Sequence, residues 1–279
     1  MTPTHQKFLT ALIARECGQV LEADSGYASD ARLAPVAQQF GHDDINHLIQ
    51  HIMTTRAPEA VRAVVEAIVT NETCFFRNGA PFRHFSETAL PALLAARAET
   101  RTLRIWSAAA STGQEAYSLA MLLADRKAAL SGWRVQLLAT DISESALAHA
   151  RAGEYSQFEV QRGLPIRHLV AHFKQAGDRW RIKSDLRKTV RFEQFNLLDD
   201  PSHIGCFDVI FCRNVLSYFD QDRRKTVLDS VARQLNPDGY LYLGDKETAA
   251  GAAIDFVADP TTRGLFQPRE APPGQALAS

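Results

Sequence analysis

The sequence lacks the features that mark several classes of protein. Only four of its 279 residues are cysteine, and they are scattered, which argues against a disulfide framework. No apolar run approaches membrane-spanning length, and the first residues show no basic segment followed by an apolar one. The net charge of −1 gives no general attraction to nucleic acid or to a membrane surface. These absences predict a cytoplasmic protein with no nucleic-acid partner and no direct membrane insertion.

Metal-ligand patterns are also missing. His203, Cys206 and Cys212 lie near one another in the sequence, but Cys212 falls inside an apolar run (residues 207–212) and no second ligand pair follows. We interpret these cysteines as packed thiols and predict no metal.

Glycine is scarce in the stretch that most resembles a nucleotide-binding loop. Residues 103–125 indicate a strand, a loop of small residues from Ser107 to Gly113, and a helix with apolar residues at helical spacing. Such units bind ligands through backbone N–H groups and a helix N-terminus, but a single glycine disfavours close approach of a pyrophosphate. A ligand with an amino acid and a ribose but no phosphate, such as S-adenosylmethionine, fits better. An ordinary turn between strand and helix is the alternative.

Residues 1–69 carry helical patterns and no strand alternation, which predicts an all-helical N-terminal domain. Phe8, Leu9, Leu12 and Ile13 form one apolar stripe, and a second stripe lies within residues 45–52. Five basic residues against eight acidic ones over residues 1–70 give a net charge of −3.

A segment with adjacent phenylalanines, TNETCFFRN, follows within a predicted linker or lid at residues 70–90. One interpretation is a hydrophobic clip between two domains, with Arg77 bound to a carboxylate. The other is a lid across a ligand.

Strands and helices alternate through residues 91–266, which predicts an α/β domain with a doubly wound, mainly parallel, Rossmann-like sheet. Ligands of such sheets bind beyond the carboxyl ends of the strands. Several polar residues lie at those predicted ends, namely Thr112, Gly113, Asp141, Asn196, Arg213 and Asn214. A structural alternative is a helix N-cap for Asp141 and a loop hydrogen bond for Asn196.

Alternation near residues 179–183 and 189–192 predicts a small antiparallel β insertion over about residues 172–195. Residues 172–193 hold seven basic and three acidic side chains, a net charge of +4. An edge-stranded basic hairpin suits an extended or acidic peptide, although a charge run of this kind is usually just a solvated face. The tail at residues 267–279 is rich in Pro, Ala and Gly, which predicts disorder.

The chain resembles the chemotaxis receptor glutamate methyltransferases, the CheR family, over nearly its whole length. The matching stretches are TNETCFFRNGAPF (70–82), IWSAAASTGQEAYSLA (105–120), ATDISESAL (139–147), ARAGEY (150–155), FNLLDD (195–200), FDVIFCRNVLSYF (207–219) and LNPDGYLYLG (235–244). The resemblance implies a class I methyltransferase that uses S-adenosylmethionine, with S-adenosylhomocysteine as product. The implied acceptors are glutamate side chains on the cytoplasmic signalling helices of chemoreceptors.

The resemblance also assigns residues by position. It implies cofactor contacts from Asn71, Thr73, Arg77, Glu115, Asp141, Asn196, Leu197, Arg213 and Asn214. For catalysis we expect Arg77 and Tyr218 to position the acceptor carboxylate. The family's β insertion is where a C-terminal receptor peptide docks in some members, which makes such a peptide a possible partner here.

Two departures from the family bear on the acceptor. Gly244-Asp245-Lys246-Glu247 stands where the family commonly has G-H-S-E, and of the basic cluster in the family's helical domain only Arg32-Leu33 is present. The alternatives are therefore a methyltransferase of the same fold with another acceptor, or a non-catalytic S-adenosylmethionine-binding regulator in another receptor pathway.

Overall fold

Four helices make up the N-terminal part of the computed structural model, which describes residues 1–21 and 26–269. They are α1 (Pro3–Cys17), α2 (Gly26–Gln39), α3 (Ile45–Thr55) and α4 (Pro58–Ile68). Thr2 and Asp44 start α1 and α3 by accepting hydrogen bonds from backbone N–H groups of the first turn. Both predicted apolar stripes supply the shared core of this bundle, which buries Leu9, Leu12, Ile13, Leu48, Ile49 and Ile52.

The remaining chain alternates strands and helices. The strands are β1 (Thr102–Ala108), β2 (Arg134–Asp141), β3 (Glu154–Ser156), β4 (Phe173–Ala176), β5 (Arg179–Ile182), β6 (Val190–Gln194), β7 (Phe207–Cys212), β8 (Leu235–Tyr242), β9 (Phe256–Ala258) and β10 (Leu265–Pro268). The helices are α5 (Ala80–His84), α6 (Leu90–Ala96), α7 (Gln114–Asp125), α8 (Glu144–Ala152), α9 (Gln157–Gln161), α10 (Ile166–His172), α11 (Ser184–Arg187) and α12 (Gln221–Arg233), with a π-helical turn at Phe85–Ala89.

Seven strands form one sheet in the order β6-β2-β1-β7-β8-β10-β9. The four pairings among β6, β2, β1, β7 and β8 are parallel, and β10 pairs antiparallel with both β8 and β9. All six residues of β7 are buried, as expected for a central parallel strand covered on both faces. The structure confirms the predicted doubly wound, mainly parallel sheet behind a helical N-terminal region.

The order of strands reverses at β1. The chain builds outward from β1 to β2 and β6, then returns to place β7 on the other side of β1. In an open α/β sheet such a reversal leaves a crevice at the carboxyl ends of the two central strands. The fold therefore places the ends of β1 and β7 next to each other, with the end of β2 beside them.

The antiparallel insertion has different members from those predicted. Its three strands run in the order β3-β5-β4, so it begins at residue 154 and ends at residue 182. The predicted strand around residues 189–192 is β6, which pairs in parallel with β2 at one edge of the main sheet. An edge strand with one covered face alternates apolar and polar residues as a hairpin strand does, and the predicted range of 172–195 was wrong for that reason.

The predicted start of a disordered tail at residue 267 is also wrong. Gln267 and Pro268 belong to β10 and pair with Val257 and Phe256 of β9. Residues 270–279 lie outside the described residues. Every helix within residues 1–21 and 26–269 is too short or too polar to span a bilayer.

The carboxylate of Glu66, on α4, joins the helical region to the α/β region. It accepts hydrogen bonds from the Ser143 hydroxyl at 2.8 Å and from the Glu144 N–H at 2.7 Å. The N–H and hydroxyl of Ser145 also donate to it. These groups form the first turn of α8, where a negative charge is favoured by the helix dipole and by unpaired N–H groups.

We expect Glu66→Ala to lower the free energy of unfolding by about 1.5–3 kcal/mol, the range for hydrogen bonds to a charged group. Urea denaturation measures this loss. Arg62→Ala is a matched control because Arg62 is exposed on the same helix, and such a change should stay within about 0.5 kcal/mol. Equal effects of the two substitutions would show that the Glu66 contacts add nothing to stability.

Candidate active site

An open cavity lies beyond the carboxyl ends of β1, β2 and β7, and the space in it amounts to about 930 Å³ when the adjoining open solvent is included. All ten residues predicted to contact cofactor or acceptor line it: Asn71, Thr73, Arg77, Glu115, Asp141, Asn196, Leu197, Arg213, Asn214 and Tyr218. They come from five separate segments of the chain. The structure therefore brings the predicted site residues together, while their contacts with a ligand stay a prediction.

The loop of small residues after β1 forms one wall of the cavity. Ala109 and Ser111 adopt left-handed backbone angles, with φ of 58° and 52°, without being glycine. Gly113 has φ of 94°, and a Cβ there would lie 2.8 Å from the Cβ of Ala150. The single glycine is thus required by the close approach of α8, and α7 begins directly after it.

Asp141 is the last residue of β2 and is only 6% exposed. Its carboxylate accepts hydrogen bonds from the N–H of Ser111 at 2.7 Å and from the N–H of Ser143 at 2.9 Å. Burial raises the pKa of this carboxyl, and the two N–H groups oppose that rise. The N-cap of α8 is Ser143, so the alternative of an N-cap role for Asp141 is wrong.

Glu115 and Arg213 form an ion pair at the centre of the cavity wall. The guanidinium of Arg213, whose side chain is fully buried, donates to the Glu115 carboxylate at 3.1 Å and to the carbonyl of Arg77 at 3.0 Å. Ser107 donates its hydroxyl to the same carboxylate at 2.9 Å. Burial raises the pKa of Glu115, and the charge of Arg213 opposes the rise. The Nε of Arg213 is buried and has no hydrogen-bond partner within the described part of the chain.

The segment with adjacent phenylalanines closes one side of the cavity. Phe75 is fully buried in the α/β core, where its ring meets Tyr155 edge-on at 5.1 Å, so it is not a clip between two domains. Arg77 donates to the backbone carbonyl of Glu72 at 3.0 Å and not to a carboxylate. Asn71, Thr73 and Arg77 all border the cavity, which supports the interpretation of this segment as a wall or lid.

Asn196 lies beyond β6 and makes the loop hydrogen bonds that the structural alternative proposed. Its Oδ1 accepts from the N–H of Leu198 at 3.1 Å, and its Nδ2 donates to the carbonyl of Glu16 at 2.7 Å. One hydrogen of the amide nitrogen and one lone pair of the oxygen remain for a ligand. A structural role and a binding role are therefore compatible at this residue.

No pattern in the sequence indicated that the helical region would line the cavity. Cys17 and Gln19, at and beyond the end of α1, both border it. The N–H of Val20 donates to the carbonyl of Tyr218 at 2.8 Å, which fixes this segment against the loop that carries Tyr218. These contacts join residues about 200 positions apart in the sequence, and local patterns carry no trace of them.

Glu247 is a second residue that sequence reasoning missed. Its carboxylate accepts hydrogen bonds from the N–H groups of Gly244 at 2.6 Å, Asn214 at 2.9 Å and Ser217 at 3.2 Å. It thereby holds Asn214 in a left-handed conformation, with φ of 59°. The available signal was the last position of the Gly244–Glu247 motif. Glu247 is the acid that the family's G-H-S-E also has at that position.

Asp245, which stands where the family commonly has His, also makes a contact beside the cavity. It accepts a hydrogen bond from the side-chain amide of Asn78, at the end of the segment with adjacent phenylalanines, at 2.5 Å. The residue that departs from the family motif therefore makes a polar contact between this segment and the loop after β8.

Comparison with known proteins assigns the chain to one family. The description of the matching family is "CheR methyltransferase, SAM binding domain", and it covers residues 71–264. A chemotaxis protein methyltransferase of Vibrio anguillarum is 39% identical over 86% of this chain and 88% of its own length. Chemotaxis protein methyltransferase 1 of Pseudomonas aeruginosa is 40% identical over 84% of this chain and 86% of its own. Because the family match spans more than half of the chain, and relatives of this identity cover most of it, the protein belongs to the CheR methyltransferase family.

Proposed function

We propose that the protein transfers the methyl group of S-adenosylmethionine to glutamate side chains on the cytoplasmic signalling helices of chemoreceptors. The observation that carries this proposal is the convergence of ten residues, from Asn71 to Tyr218, on one cavity at the strand ends. The identity of the relatives as chemotaxis protein methyltransferases supports the acceptor class. Action on such helices would place the protein in the cytoplasm.

The donors and acceptors of the cavity fit S-adenosylmethionine. Asp141 presents a carboxylate with free lone pairs for a pair of ribose hydroxyls, after two of its acceptor sites are used by backbone N–H groups. The unpartnered Nε of Arg213 is a buried cationic donor of the kind that a carboxylate would satisfy. The loop from Ala109 to Gly113 has one glycine and therefore suits a nucleoside without a pyrophosphate.

The reaction requires the protein to align the acceptor with the methyl group, and it requires no proton transfer. S-adenosylmethionine supplies a methyl group on a positively charged sulfur. A glutamate acceptor is already ionised at neutral pH because its ordinary pKa is about 4.3, so no general base is needed. The residues must hold the carboxylate oxygen in line with the methyl carbon and keep water away from it.

Arg77 and Tyr218 are the residues that we assign to this positioning. Both are half-buried and border the same cavity. One N–H of Arg77 is bound to the Glu72 carbonyl, which fixes the guanidinium and leaves further donors for a carboxylate. Arg77 should bind the acceptor carboxylate only moderately. The charges of the carboxylate and the sulfonium are neutralised in the transition state, so a strong ion pair with Arg77 would favour the ground state.

Residues 1–69 form the proposed helical domain beside this site, residues 70–90 the proposed lid, and residues 91–266 the proposed methyltransferase domain. The helical region contributes Cys17 and Gln19 to the cavity wall. If the helical region shifted when an acceptor binds to it, the wall of the proposed cofactor site would therefore shift as well.

We expect Asp141→Ala to weaken binding of S-adenosylhomocysteine by about 1.5–3 kcal/mol, or roughly ten- to hundredfold, through loss of charge-assisted hydrogen bonds. Calorimetry measures the affinity, and circular dichroism checks the fold. Asp200→Ala is the control, because Asp200 accepts an N–H from Ser202 in the same manner at an exposed position outside the cavity. Unchanged affinity in the Asp141 variant would assign that residue a purely structural role.

We expect Arg77→Ala to reduce methyl transfer at saturating cofactor by about a hundredfold, because a misplaced acceptor costs a factor of this size. The assay is transfer of a tritiated methyl group to receptor-containing membranes, with release by base marking a methyl ester. Arg83→Ala, exposed on α5, should retain full activity.

Base-stable methylation in the wild type would favour the alternative of another acceptor group. No methylation of any receptor despite tight cofactor binding would favour a non-catalytic regulator. Normal turnover of the Arg77 variant would remove Arg77 from the positioning role.

We further propose that a C-terminal receptor peptide pairs with the antiparallel insertion. The order β3-β5-β4 leaves β4 at an edge, where an extended peptide adds as a strand through main-chain hydrogen bonds. Lys174 on β4 lies opposite Arg181 on β5, so these two exposed cations share one face of the small sheet. Arg181 also pairs with Glu154 on β3, the strand on the other side of β5. Arg191 belongs to β6 of the main sheet and so does not lie on the insertion.

Charge reversal at Lys174 and Arg181 tests the peptide site. We expect about tenfold or greater loss of methylation on full-length receptors and no loss on a soluble helical substrate, because tethering raises only the local concentration. Arg191→Glu should leave both activities unchanged. Equal loss on both substrates, or no loss on either, would contradict docking at the insertion.

A further inference from the structure

Three metal-ligating side chains meet outside the cavity, at the end of α7. Asp125 is the last residue of α7, and His168 and His172 lie on α10. One ligand atom from each residue comes within 4.8 Å of the others, and the Nε2 of His168 is 3.8 Å from the Asp125 carboxylate. We propose that these three residues bind a divalent transition-metal ion of the Zn²⁺ class.

Unpartnered imidazole nitrogens are a second observation at this place. The side chain of His168 is only 2% exposed. The Nε2 atoms of His168 and His172 are both buried without a hydrogen-bond partner among residues 1–21 and 26–269. A buried polar nitrogen without a partner costs stability, and an ion bound to both nitrogens would remove that cost.

The chemistry of the three groups suits zinc. Two histidines four residues apart lie on the same face of a helix, and a carboxylate from a second helix completes three protein ligands. Zinc–nitrogen bonds of about 2.0–2.1 Å require the ligand atoms to lie about 3.4 Å apart, so the observed spacing of up to 4.8 Å would shorten when the ion binds. Three protein ligands leave a fourth position for water.

The surroundings position the ligands. The ring of Phe76 stacks on His168 with a centroid distance of 5.1 Å and an interplanar angle of 16°. Two cations act on the histidines electrostatically, Arg167 on His168 and Lys183 on His172. The ammonium of Lys183 is turned toward the carbonyls of Val170 and Ala171 at the end of α10. An ion at this place would link α10 to the end of α7. The first turn of α7 carries Glu115.

The test is titration of chelator-treated full-length protein with Zn²⁺ in competition with a chromophoric chelator. We expect one ion per chain. His168→Ala and His172→Ala should each weaken binding by about a hundredfold or more, because even changes behind the ligands cost about 10–100-fold. Zn²⁺ should also raise the melting temperature of the wild type and not that of the two variants. His172 is less buried than His168, so its variant answers the question if His168→Ala fails to fold.

Two controls separate this site from other ligands of the chain. His47→Ala removes an exposed histidine on α3, and Cys206→Ser removes the exposed free thiol. Both variants should bind Zn²⁺ as the wild type does. Binding that survives His172→Ala, or that is lost in Cys206→Ser, would overturn the proposal, and so would the absence of any binding by the wild type.

Discussion

The carboxylate of Asp141 holds together the loops on which the cavity depends. It accepts an N–H from Ser111, in the loop after β1, and an N–H from Ser143, in the loop after β2. A buried carboxylate is costly unless it is hydrogen-bonded, and these two backbone groups provide that compensation. Because each carboxylate oxygen can accept more than one hydrogen bond, the same group can shape the cavity and bind a diol. Structural and binding roles therefore need not be separated at this position.

A second carboxylate stands close to the first. The carboxylate of Glu66 accepts hydrogen bonds from the first turn of α8, and its negative charge adds to the burial that raises the pKa of Asp141. The dipole of α8 and the N–H groups of its first turn offset the repulsion between the two neighbouring carboxylates. Since Glu66 belongs to α4 of the helical region, the charge environment of the cavity depends on how the helical region packs against the α/β region. The shape of the cavity depends on the helical region in the same way, because Cys17 and Gln19 line it.

Backbone strain is concentrated around this cavity. Seven non-glycine residues of the described chain have positive φ, and five of them either line the cavity or flank Arg77, namely Phe76, Asn78, Ala109, Ser111 and Asn214. Each such conformation costs about 1–3 kcal/mol and persists only when its surroundings enforce it. Ser118 holds the N–H of Phe76, Asp141 holds that of Ser111, and Glu247 holds that of Asn214. These hydrogen bonds enforce the strained backbone positions, which suits the alignment that the proposed in-line displacement needs.

The sequence by itself determined the elements and the motifs that stand at their ends. The apolar run 207–212 coincides with β7, and Asp141 ends β2, because a buried parallel strand and the polar residue after it are local patterns. Nine of the ten predicted site residues were assigned by resemblance of short motifs and Tyr218 by the needs of the reaction, and the topology of the sheet explains why they converge. Only the tertiary structure decided that β6 joins the main sheet, since alternation is the same in an edge strand and in a hairpin. It alone also decided the contacts of Glu66 with α8, the contribution of Cys17 to the cavity and the meeting of Asp125 with His168. These contacts join residues distant in sequence through the packing of whole helices, and no local pattern of side chains encodes which helix faces which.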